Sequence, residues 1–257
     1  LTGFSILKIP WSGWSLAAPY LLITAALVVL SGRPWTTRRV KTYVPGPATA
    51  LRLHRLAAPE RFALLMLLAL AGLLLTLAPW GLPVLDGFSA GYFKARVFWT
   101  DGSVLPFYEH AHSLFYAQPT PPPLVALTID WLYLVGGGID EHATLVLWPA
   151  LLCSLLGTMY ALLRYVTFVR IALWATLATA LSASDLVGSA MQFGFADLPL
   201  ALFLFGGAGI TWLWVARRDL GWRVPVIGGV LLAGAAWTKE EGIVAGGGTT
   251  LLQAIPA

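Results

Sequence analysis

The sequence predicts an all-α polytopic membrane protein, a bundle of transmembrane helices with one aromatic outer loop that carries a juxtamembrane helix. Three observations predict it. Hydrophobic residues make up 58% of the 257 positions and charged residues only 11%, whereas soluble domains carry roughly 25% charged residues. Apolar runs recur at the length of a bilayer-spanning helix, about 20 residues, and the clearest is FALLMLLALAGLLLTLA at 62–78. Basic residues crowd between such runs, as Arg33, Arg38, Arg39, Lys41, Arg52, Arg55 and Arg61, the positive-inside pattern of a cytoplasmic loop. The formal net charge of +4 therefore reports topology, and a nucleic-acid partner is excluded.

Trp11 and Trp14 precede the first apolar run, as interfacial anchors do. Residues 16–30 are expected to form a short first span or the end of one, and 33–61 a basic, proline-punctuated inner loop. Together 1–61 make an N-terminal unit, and 62–257 make the main transmembrane domain. The span at 62–78 closes at Pro79 and Trp80, which places the loop 79–123 on the outer face. Within this loop 88–99 is expected to be helical, with Asp86 as its cap and Asp101-Gly102 as its stop. Phe88, Tyr92, Arg96 and Trp99 then share one side, and the helix is expected to lie in the interface plane.

The prolines at 119 and 121–123 force an extended approach to the next helix. The apolar piece 121–135 is short, ends in Gly136-Gly137-Gly138 and carries Asp130. Asp140 and Glu141 read as a simple loop. Spans follow at 142–163, from 171 onward, and at 198–215, and the last apolar run is 224–237. Simple alternation then puts Arg217 and Arg218 outside, against the positive-inside rule. One run must therefore fail to cross, and the candidates are 121–135 and the polar piece 182–196. With one re-entrant, Asp86, Asp197 and Lys239 share a side. The lone Cys153 forbids an intrachain disulfide. The chain starts at Leu1 without a basic leader and stops soon after AGGGTT, so it is expected to be part of a longer protein.

The chemistry is expected at the outer face. Asp86 suits a general base acting on a hydroxyl, although a helix cap needs the same residue. Lys94 and Arg96 bring positive charge to a lipid headgroup or a leaving phosphate, or snorkel from the interface. Glu109, His110 and His112 are a loose candidate set for a divalent metal, lacking a further ligand; no other cofactor is indicated. Asp197 stands at a span mouth, where it also fits an N-cap. Lys239 and Glu240, with Glu241, form either a solvated helix end or a phosphate-binding lysine held by acids.

Four stretches carry a resemblance to a family: LDGFSAGYFKARVFW at 85–99, QPTPPPLVAL at 118–127, GFADLPLAL at 194–202 and AAWTKEEGI at 235–243. In order and approximate spacing they resemble the GT-C fold membrane glycosyltransferases, the group of the protein O-mannosyltransferases and the lipid A aminoarabinose transferases. The resemblance implies a GT-C-like bundle in a bacterial inner membrane and an inverting transfer of sugar. The implied donor is a polyprenyl-phosphate sugar, and the acceptor is a hydroxyl on lipid, glycan or protein. Asp86 resembles the family's catalytic aspartate, Asp197 the acid at the later span mouth and Lys239 the lysine of the late motif. Asp86 is followed by Gly87, where protein mannosyltransferases carry a tandem acid, which weakens that specific activity. Two other classes compete: a transporter or flippase using intramembrane acids such as Asp130, which the absence of an internal repeat disfavours, and a non-catalytic assembly subunit.

Overall fold

The computed structural model describes residues 56–81, 91–110, 122–182, 193–216 and 220–244. The expected span at 16–30, most of the basic inner loop, Asp86 and His112 lie outside these residues. The described elements are helices: α1 (Ala58–Leu77), α2 (Phe93–Asp101), α3 (Leu105–His110), α4 (Leu124–Gly136), α5 (Glu141–Thr144), α6 (Leu147–Val166), α7 (Val169–Ser182), α8 (Asp197–Ala216) and α9 (Arg223–Thr238). Three stretches are long and apolar enough to cross a bilayer, Ala58–Trp80, Glu141–Val166 and Asp197–Ala216, and α4, α7 and α9 are shorter apolar helices. Leu65, Leu68, Leu73, Phe205, Trp212 and Val230 point outward and exposed. Apolar surface on that scale is at home in lipid, not water. The chain is a multi-pass, all-α membrane protein.

Local chemistry sets the ends. α1 begins after an extended Ala57, with proline in its first turn and Glu60 at the positive end of the helix dipole. A 3-10 turn, Ala78–Trp80, closes it. α2 stops at Gly102, whose φ of 57° is a left-handed cap that glycine adopts without strain. α5 is capped by Asp140, whose carboxylate accepts from the Ala143 N–H at 3.0 Å.

In the membrane, α8 and α9 form an antiparallel hairpin packed through small residues. A Cβ on Gly207 would stand 2.8 Å from Leu232 Cγ and 3.0 Å from the Gly228 carbonyl, so glycine is what lets the two backbones approach. α6 lies beside α8, with Leu162 against Gly209. α7 packs on α1 through Ala63, Leu173 and Leu177.

Side-chain bonds place the helix ends. His142 Nδ1 lies 3.1 Å from the Pro79 carbonyl, so the end of α1 meets α5. Trp148 Nε1 donates to the Phe195 carbonyl at 3.1 Å, so α6 and α8 start at one level. Lys239 reaches Asp197 at 2.8 Å, so α9 ends there too. Arg61, Arg164, Arg170 and Arg223 sit at the opposite ends of α1, α6, α7 and α9.

α4 belongs to the outer layer. Its Val125 and Ile129 lie against Gly91, and its Tyr133 meets Trp99 edge-on with centroids 6.4 Å apart. Gly91 in turn lies against the Gly194 carbonyl at the approach to α8, so both ends of α4 meet groups at the outer end of the bundle. α4 therefore runs along α2 instead of crossing. Helices α1, α6, α7, α8 and α9 then alternate in direction, and Arg61, Arg164, Arg170 and Arg223 collect at one end, in keeping with the positive-inside rule.

Several expectations need correction. Residues 91 and 92 are already helical and lead into α2, so the expected start at residue 88 lies outside the described residues, and Lys94, Ala95 and Phe98, which an interface helix would leave to lipid or water, are fully buried. Packing against α3 and α4 has taken the place of lipid. The expected span at 142–163 holds as Glu141–Val166, with a break at 145–146 that divides it into α5 and α6. Asp140 and Glu141 are not a simple loop, since the first caps α5 and the second binds Arg96. Asp197 does not cap α8: it is the first helical residue, and the Ala196 carbonyl accepts from the Leu200 N–H at 2.9 Å.

Candidate functional site at the outer end of the bundle

The late motif and the span-mouth motif meet. Lys239 follows α9 in an extended conformation, φ −158° and ψ 153°, which carries its side chain off the helix axis. The Gly242 N–H then returns to the Lys239 carbonyl at 2.9 Å. A Cβ at Gly242 would overlap the Ala235 carbonyl, so this turn over the end of α9 demands glycine. The result is a three-member cluster, with Lys239 Nζ 2.8 Å from Asp197 Oδ1 and 3.3 Å from Glu241 Oε1. The hydrogen bond to Asp197 is the largest cause raising the lysine above its ordinary range. Glu241 is held below its ordinary range by its own backbone N–H first and by Lys239 second. Glu240 is exposed and stands outside the cluster's bonds.

An aromatic knot holds the outer layer to the span mouths. Tyr92 stacks on Trp148 with centroids 5.8 Å apart, and Phe193 meets Trp148 edge-on at 6.2 Å. Thr144 donates its hydroxyl to Tyr92 at 3.2 Å, and burial pushes the Tyr92 phenol up. Gly81 lies so close to the Phe193 ring that any Cβ would overlap it. Rings of this kind contribute beyond their buried area, and here they tie α2, α6 and the approach to α8 into one body. Arg96 extends the tie by donating Nε to Glu141 Oε1 at 2.7 Å.

Lys94 is the surprise of the loop. It does not snorkel: it is wholly buried, its ammonium 5.6 Å from the Phe107 ring centroid, a cation–π distance. Phe98 meets the same Phe107 edge-on at 5.7 Å. Burial lowers Lys94 to about 8, because the charged form loses its hydration. Asp130 is equally buried, and neither carboxylate oxygen has a hydrogen-bond partner; the Tyr133 hydroxyl, one turn further on, is in the same position.

Glu109 is exposed at the end of α3, beside His110. Among the described residues no group of three metal-ligating side chains forms, and His112 lies outside them, as does Asp86. The structure thus joins Asp197 with Lys239 and Arg96 with Glu141, and separates Lys94 from water. Sequence reasoning named Glu241 only together with Glu240, read Glu141 as loop and Tyr92 as one residue of a helix face, and passed over Trp148. The Lys-Glu-Glu run gave no means of choosing between its two acids, and the partners of Glu141 and Trp148 are remote in the chain.

The cluster offers one half-exposed cation set between two carboxylates at the rim of an apolar bundle. That combination can exchange an anion, orient a hydroxyl or accept its proton. Comparison of the chain with protein-family models, with curated proteins and with solved structures finds no match.

Proposed function

We propose that the chain transfers a sugar from a polyprenyl-phosphate donor to a hydroxyl acceptor at the outer membrane face, with inversion at the anomeric carbon. The observation that carries the reading is the Lys239–Asp197 pair. It unites two of the four stretches that resemble the GT-C glycosyltransferases, at the end of the bundle where the resemblance needs them. The acceptor oxygen forms a bond to the anomeric carbon as the bond from that carbon to the phosphate oxygen breaks. The acceptor proton passes to a carboxylate, for which Asp86 is the first candidate, and polyprenyl phosphate departs. A single displacement of this kind needs one base, and cations stabilise the charge gathering on the phosphate. Lys239 is suited to that charge because it is the more accessible lysine. Lys94 is sealed under Phe107, and Arg96 is held by Glu141. The apolar helices supply a surface for the donor's lipid tail.

The test is sugar transfer in membranes containing polyprenyl-phosphate sugars, by the full-length protein at equal abundance. Wild type is expected to transfer, Asp86→Asn to lose at least 100-fold as for a missing base, about 10²–10⁴, and Lys239→Gln to lose about tenfold or more. Normal transfer by Asp86→Asn would leave it a helix cap and remove the mechanism.

A further inference from the structure

Asp130 sits where the sugar-transfer reading has no use for it. It is fully buried on α4, in the outer layer and not in a crossing helix, and both its oxygens lack a hydrogen-bond partner. One turn on, the buried Tyr133 hydroxyl also lacks one, and positions three apart on a helix share a face. Three neighbouring polar atoms are thus sealed from water and, among the described residues, from hydrogen-bond partners. An ionised carboxylate in such a place is very costly, and the ordinary relief is for the group to take a proton.

Among the described residues, the charged and titratable groups on the surrounding elements do not supply another relief. From α2 and the turn before it come Lys94, Arg96, Asp101 and Tyr92, from α3 Tyr108 and Glu109, from α5 Glu141 and His142, and from α9 Lys239. Arg96 binds Glu141, Lys94 lies over Phe107, Lys239 binds Asp197 and Glu241, and His142 faces the Pro79 carbonyl. None hydrogen-bonds Asp130.

We propose that Asp130 is a proton-binding site that locks α4 into the outer layer: the docked layer carries the neutral acid, and loss of the proton releases α4 from α2. The proposal is independent of sugar transfer. Burial raises the docked carboxyl from 3.8 to about 7, so the docked state holds more protons than the released one. Docking is then strongest in acid and weakens as pH rises between those two values. The population of released α4 grows about tenfold per pH unit across that window and levels off above it.

Two measurements test this on the full chain in lipid nanodiscs. Amide hydrogen exchange of residues 124–136, corrected for its intrinsic pH dependence, is expected to follow that rise in wild type. Asp130→Asn, which keeps the shape of the neutral acid, is expected to be flat and protected. His142→Gln controls for the histidine and is expected to behave as wild type. Infrared titration of wild type, which needs no variant to fold, is expected to show the protonated carboxyl band while α4 is protected and to lose it as α4 opens. An ionised Asp130 in a protected α4 would overturn the proposal, as would a pH response kept by Asp130→Asn or lost in His142→Gln. Restoration of protection at alkaline pH by sodium or potassium would also overturn it, assigning the site to a metal ion.

Discussion

Lys94 and Lys239 are the same residue type in opposite settings, and the difference decides what each can do. Lys94 is buried and lowered to about 8, so the folded protein gives up that proton before the unfolded chain does. Its charge opposes folding below about pH 8, and the opposition fades as pH rises from there toward 10.5. A displacement of that size corresponds to about 3 kcal/mol. Thermal unfolding of wild type is therefore expected to gain stability across that window relative to Lys94→Met. Lys94→Arg is expected to destabilise by several kcal/mol, about 3–5 for a fixed buried charge, because guanidinium keeps its proton. Lys239, more than a third exposed, has a surface pair of a kind worth roughly 0–1 kcal/mol. Lys239→Gln and Asp197→Asn should consequently leave the unfolding temperature nearly unchanged, so that any loss of transfer is chemical.

At the scale of elements, two glycines hold the site's framework. Gly207 allows α8 to seat on α9, and α8 carries Asp197 while α9 delivers Lys239. Gly207→Leu is expected to cost about 1–3 kcal/mol by overpacking, read as an earlier thermal transition in detergent. Gly242 acts more locally. Gly242→Ala pushes the turn off the Ala235 carbonyl and should cost transfer activity out of proportion to stability. Equal losses in both would show that the turn merely supports the fold. The aromatic knot is a third device: with Phe193, Trp148 and Tyr92 in contact, a movement of α2 is felt at the approach to α8.

For the whole molecule, the arrangement predicts sidedness. Cysteines introduced singly at Asp101 and Glu240, in a Cys153→Ser background, are expected to react with impermeant reagents from one side of the membrane. One at Arg170 is expected to react only from the other. Labelling of the Asp101 and Arg170 positions from the same side would mean that α4 crosses after all and that the outer layer is misassigned. The positive-inside rule makes the arginine end cytoplasmic, so the proposed chemistry faces away from cytosolic nucleotides, as a lipid-phosphate donor requires.

Composition and run length were enough to determine that this chain is a multi-pass helical membrane protein, because lipid forces backbone polar groups into helices and leaves apolar side chains outside. Charge distribution led to the expectation that one apolar run, 121–135 or 182–196, does not cross. Of the two candidates, most of 182–196 lies outside the described residues, and packing along α2 places α4, the helix of the 121–135 piece, in the outer layer. Local signals found the stop at Gly102, whereas α1 begins at Ala58, inside the stretch expected to be loop. The choice of ion pairs was not legible: Arg96 with Glu141 and Lys239 with Asp197 span 45 and 42 residues, and no spacing rule reaches that far. Nor was the burial of Lys94, for a polar residue in an aromatic loop reads as surface until packing closes over it. Sequence determined the solvent each helix lives in; packing decided which charges meet and which are sealed away.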